Sequence, residues 1–202
     1  MTENIPHHSG SPLIAPPACS LMLLAPSSRD LKAITRKTRA NVRRSFVRLI
    51  SAAELVDVVP FVCAPSDKPG RHAFASHLAK LKHREFATGT HGSTWHHPPL
   101  RHALAEQDRP ALVLAGFWLE HEVVANALHA LADSYDVYFV LDASPARMQA
   151  AAQLSQDRLI QAGATPVVVS QVIHEWAIET SDATKSAALN ALLLPAPISD
   201  AE

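Results

Sequence analysis

Residues 111–144 read ALVLAGFWLEHEVVANALHALADSYDVYFVLDAS, and their pattern decides the fold. Residues 111–115 are a short apolar run ending at Gly116, the signature of a strand buried on both faces. Over 120–132, Val124, Leu128 and Leu131 fall on one side of a helix. Residues 136–141 are a second apolar run. A strand, a helix and another strand in this order make a parallel crossover unit.

The alternation continues outward. Upstream, residues 20–24 are apolar and stop at Ala25-Pro26, after which Ser27 and Ser28 can cap a helix over about 30–52. Its stripe is Ile34, Val42, Phe46, Leu49 and Ile50, while Arg36, Lys37, Arg39, Arg43 and Arg44 sit largely elsewhere. A strand at 58–63 is followed by Pro65, a helix around 71–81 and a weak strand at 85–88. A polar loop at 89–99 then leads to a short helix near 100–106. Downstream, a helix over 146–161 closes at Gly163, a strand takes 166–169, and helical sequence runs to about 194. Six strands separated by helices predict an α/β protein, a three-layer α/β/α sandwich with a mainly parallel, doubly wound, Rossmann-like sheet. One domain spans 18–195, after an irregular proline-rich arm at 1–17 and before a tail at 196–202 that reads as flexible.

Composition narrows the function. The 202 residues are 48% hydrophobic and 18% charged with mean hydropathy +0.03, which excludes a disordered chain. Eighteen Lys and Arg against nineteen Asp and Glu leave a net charge of −1, so no global basic field points to nucleic acid. The arginine-rich helix reads as a solvated face or an oligomer contact. Residues 21–25 are too short an apolar stretch to span a bilayer or form a secretory leader, so a cytoplasmic protein with no membrane or nucleic-acid partner is expected. Two cysteines make neither a disulfide framework nor a CxxC metal site.

In doubly wound folds the ligand lies beyond the carboxyl ends of the strands. The residues to weigh are therefore 25–26, 63–64, 88–91, 116–122 and 142–144. Residues 111–144, with Asp157-Arg158-Leu159-Ile160-Gln161-Ala162-Gly163-Ala164, resemble the isochorismatase-like cysteine hydrolases. In that family an apolar strand and a Gly lead through Thr-Glu/Asp-x-Cys-Val into a helix, then a strand ends in Asp-Ala. The resemblance covers about 20–176. It implies a Cys nucleophile with an Asp base and an assisting Lys, an oligomer, and a cis peptide at Phe117–Trp118.

Those catalytic roles look vacant. Aligned without a gap, the Cys position holds Glu122 and the Thr position Leu119. The Asp position falls on Ala25, with no acid until Asp30, and the Lys position falls near Thr88 and Gly89. Cys19 lies at the wrong end of its strand, and Cys63 reads as packing. A carboxylate at 122 would also repel a developing oxyanion. The leading expectation is a catalytically degenerate scaffold that binds a small molecule or assembles as a homo-oligomer, or beside an active paralogue. The alternative is a hydrolase of small amides or vinyl ethers that uses Glu122 as base with His91 or His121. Trp95, Phe117 and Trp118 would wall the pocket, Asp142 reads as a structural acid, and neither a metal nor a cofactor is expected.

Overall fold

The computed structural model describes residues 12–64, 72–79, 81–87 and 94–194. Its strands β1 (Cys19–Leu24), β2 (Phe61–Ala64), β3 (Arg84–Ala87), β4 (Ala111–Gly116), β5 (Asp136–Val140) and β6 (Thr165–Val167) form one sheet. The order is β3-β2-β1-β4-β5-β6, with every pairing parallel. The winding reverses between β1 and β4, the switch point where such sheets open a crevice. Every residue of β1 and β4 is buried, which is why both read as unbroken apolar runs.

Two apolar clusters sit on opposite faces. On one face, α1 (Ser28–Ala33), α2 (Arg36–Leu55), α3 (Ala75–Leu78), α7 (Val169–Glu179) and α8 (Ala183–Leu193) pack over Leu21, Leu23, Val113 and Ala115. On the other, α4 (Pro98–Gln107), α5 (Val124–Ala132) and α6 (Gln149–Gln161) cover Met22, Leu24, Leu112 and Leu114. Alternate residues of one strand thus feed both cores.

The structure corrects several boundaries. The single helix expected over 30–52 is two. Ser27 and Asp30 form a capping box that starts α1, Ile34 turns extended, and the Thr35 hydroxyl accepts from Thr38 N–H to start α2. The strand expected from 58 begins at Phe61, because Pro60 has no N–H to give a ladder. The helix expected from 120 opens as a π-helical turn, Leu119–Val123, before α5. The end of the arm packs onto the fold. Ile14 is buried and its N–H donates to Glu175 Oε2 at 2.8 Å. Residues 1–11 of the arm and the whole tail lie outside the described residues. No helix among the described residues is long and apolar enough to cross a membrane.

Candidate functional site

The ends of β1, β2 and β4 are tied into one rim by backbone hydrogen bonds. Ala25 N–H donates to Cys63 O at 2.9 Å and Phe117 N–H donates to Leu24 O at 3.1 Å. Gly116 N–H donates to Ser144 Oγ at 3.2 Å, which joins the end of β4 to the segment after β5. The Phe117–Trp118 peptide is cis, where the family resemblance places it. Leu119 N–H then donates to Pro145 O at 3.0 Å, and the π-helical turn begins. Single π turns inside helices are frequent at functional sites.

Glu122 stands in this turn, half-buried. Its Oε2 accepts from the Thr94 hydroxyl at 3.0 Å and from Asn126 Nδ2 at 3.3 Å. The same Asn126 amide donates to Glu122 O at 2.6 Å. Asn126 is fully buried, and its own Oδ1 has no partner among the described residues. The turn therefore carries a fixed carboxylate, with the Asn126 carbonyl buried behind it on α5. A fixed carboxylate favours N–H or O–H donors over a carbonyl oxygen gaining negative charge.

The neighbouring acids are occupied differently. Glu120 Oε1 accepts from Arg147 N–H at 3.0 Å, while its Oε2 is buried without a partner among the described residues. His121 is exposed. Asp30, the first acid after β1, reaches back to the rim, where its Oδ1 accepts from Trp118 Nε1 at 3.1 Å. Its Oδ2 accepts from Ser27 N–H and Ser27 Oγ at 2.9 and 2.6 Å. That carboxylate caps a helix and anchors an indole, which leaves little of it to move protons. The Arg147 guanidinium lies 4.8 Å from the Trp118 ring centroid, a cation–π contact that covers the indole.

The sheet divides the remaining pocket residues. Ala25, Phe117 and Trp118 pack with the α2 cluster, and Phe117 lies 6.3 Å from Phe46, which stacks on Phe74 at 4.7 Å. Cys63, Trp95 and Leu119 pack in the cluster under α5. Trp95 runs along α5 to its far end, donating from Nε1 to Asp133 Oδ2 at 2.9 Å and meeting Tyr135 edge-on. Thr88, Gly89 and His91 lie outside the described residues. A cavity of about 170 Å³ lies at the opposite end of the sheet, lined by Ile50, Ala53, Val58, Pro60 and Leu81 among others. Among the described residues no group of three or more His, Cys, Asp or Glu side chains is placed to hold a metal ion.

Both thiols are buried. Burial, and next the charge of Glu122, push the Cys63 thiol far above its ordinary range. Burial likewise pushes Cys19 up to about 12. A thiolate is the nucleophilic form, so neither residue is poised to attack. Sequence reasoning missed Thr94, Asn126 and Arg147. Asn126 could have been found, since it lies four residues after Glu122, the spacing that brings helical side chains together. Thr94 and Arg147 reach the turn only through the fold.

Three solved structures share this architecture at low identity. The YcaC gene product of Escherichia coli, described as an octameric hydrolase of unknown specificity, matches at 17% identity and TM-score 0.76, covering 92% of this chain and 93% of that one. YcaC from Pseudomonas aeruginosa, solved with hexane-2,5-diol and covalent acrylamide, matches at 15% identity and TM-score 0.76 over 92% and 94%. The MAR1 ribonuclease of Caenorhabditis elegans matches at 19% identity and TM-score 0.78 over 91% and 93%. At these identities the likeness shows the fold. No curated protein matches the chain at a significant level. The family assignment comes from sequence, because the isochorismatase domain model matches residues 33–171, from before α2 into α7 and across the π-helical turn. With two thirds of its length matched in this way, the chain belongs to the isochorismatase family of hydrolases.

Proposed function

We propose that this chain is a catalytically degenerate member of its family, a small-molecule-binding or assembly protein in which Glu122 occupies the place of the nucleophilic cysteine. The observation that carries the reading is the Glu122 carboxylate, fixed by Thr94 and Asn126 at the helix-opening turn. A carboxylate in that turn disfavours an oxyanion forming beside it. The only thiol on that rim, Cys63, is buried and held protonated. The octameric Escherichia coli relative supports assembly as a homo-oligomer, with an active paralogue as the alternative partner.

The test is a turnover screen of purified protein against amides, nitriles and vinyl ethers. No turnover above the buffer rate is expected. Turnover that survives Cys63→Ala and disappears in Glu122→Gln would refute the reading and establish carboxylate chemistry, with His121 or His91 as helper. Turnover that disappears in Cys63→Ala would refute it in favour of the thiol.

A further inference from the structure

The net charge of −1 conceals a one-sided surface. From Leu31 to Ala53 the chain holds no Asp or Glu, yet Lys32, Arg36, Lys37, Arg39, Arg43, Arg44 and Arg48 fall within it and Arg29 just before. Two of these are used by the fold through backbone carbonyls, and Arg43 Nη2 also lies 3.4 Å from His77 Nε2 of α3. Arg39 donates to Ile34 O at 3.1 Å, and Arg48 donates to Leu192 O at 2.7 Å. The other six, Arg29, Lys32, Arg36, Lys37, Arg43 and Arg44, are exposed. None of these six pairs with a carboxylate among the described residues. Along α2 the buried positions Val42, Phe46, Leu49 and Ile50 face the sheet, so Arg36, Lys37, Arg43 and Arg44 share the outer face.

The charge is also set against the helix. The first turn of α2 contains Arg36 and Lys37 and no acid, and its last turn contains Glu54 and no base. The macrodipole favours the reverse at both ends. Arg39 with Arg43, and Arg44 with Arg48, add like-charge pairs at the four-residue spacing. An arrangement that costs the isolated fold stability in two ways is offset when an anion binds across it.

We infer that the outer face of α1 and α2 binds the phosphate backbone of a nucleic acid. Arginine outnumbers lysine among the six exposed cations, and its planar fork suits phosphate oxygens. Arg36 and Lys37 stand seven residues before Arg43 and Arg44, about 10.5 Å or two helical turns, so the face offers two paired cationic positions to an extended polyanion. The face carries no exposed large apolar residue. Met148, Leu154, Ile160, Ile178 and Leu194 all lie on or beside α6, α7 and α8. A membrane-surface helix needs an apolar edge, and a stable protein interface an apolar core beside its arginines, and the face offers neither. With no aromatic ring on the face to stack a base, binding is electrostatic and indifferent to sequence. The inference is independent of the proposed loss of hydrolase chemistry.

Fluorescence anisotropy of a labelled oligouridylate, titrated with the full-length protein at several salt concentrations, tests it. The expected result is binding that weakens with a log–log salt slope of about −3, from four phosphates neutralised on a single strand, or roughly fiftyfold between 50 and 200 mM. R36Q/K37Q/R43Q/R44Q is expected to lose at least about tenfold of the affinity, whereas R36K/R43K/R44K keeps the slope. The glutamine variant should also melt higher, by about 1–3 °C, since it relieves the helix. Absence of binding at 50 mM salt overturns the inference, as does affinity unchanged in the glutamine variant. A lower melting temperature in that variant would assign the cations to the fold itself and overturn it too. So would capture on phosphatidylserine vesicles with no binding to the oligonucleotide.

Discussion

Gly116→Ala is expected to cost about 2–6 kcal/mol of folding stability, a large share of the roughly 5–15 kcal/mol that holds a typical domain together. Two effects coincide at this residue. Its φ of +149° is a conformation that side chains rarely adopt. A Cβ there would also stand 2.3 Å from Leu24 Cβ and 2.4 Å from Leu24 O, on the backbone of the central neighbouring strand. That strand cannot yield, because it pairs with β2 on its other side. Urea unfolding should show a lower midpoint at an unchanged m-value. Gly163→Ala separates the two effects. Its φ of +101° is also unfavourable, but nothing lies within 4 Å of the added carbon, so a loss of only about 1 kcal/mol is expected. Equal losses at both sites would contradict the close-approach argument.

Asp142→Ala should be the second costly change, at about 2–4 kcal/mol. The Asp142 side chain joins three elements. Oδ2 accepts from Ser45 Oγ of α2 at 2.8 Å, and Oδ1 accepts from the N–H of Val169, the first residue of α7, at 2.9 Å. A carboxylate at a helix start is also favoured by the macrodipole. Removing it strands two partly buried donors, each costing about 1–3 kcal/mol when left unpaired. Ser45→Ala removes one donor and leaves the acceptor at α7 in place, so about 1 kcal/mol is expected from it. Thermal unfolding of both variants measures the difference. An Asp142→Ala protein as stable as the Ser45→Ala protein would contradict the linking role.

The sequence carried the sheet because each strand is short, apolar and buried on both sides, a pattern that needs no partner to be read. β1 and β4 are the clearest cases. The structural reading of Asp142 came from the Asp-Ala pattern of the family resemblance, and its partners on α2 and α7 come only with the fold. What the sequence could not carry were features set by local competition or by long-range meeting. The break at Ile34 arises because Ser27 and Thr35 each supply a cap inside what reads as one periodic stripe. The π-helical turn adds one residue to a helical repeat and shifts no hydrophobic position enough to be noticed. The acid at 122 was legible in the sequence, yet its hold by Thr94 spans 28 residues and belongs to the fold. Asp30 was legible only as an acid too far along the chain. Three-dimensional structure turns it toward Trp118 and spends it on a cap.

These particulars converge on the absence of a reactive sulfur at the strand-to-helix turn. Native-state alkylation addresses that point without needing a substrate. The relative from Pseudomonas aeruginosa was solved with covalent acrylamide. Folded protein incubated with acrylamide near pH 8 and read by intact mass should show no adduct, because Cys19 and Cys63 are buried and held protonated. The same protein in concentrated urea should gain two adducts, one for each cysteine. A single adduct formed rapidly by the folded protein and mapped to Cys63 would contradict the account, for it would place a working nucleophile beside Glu122.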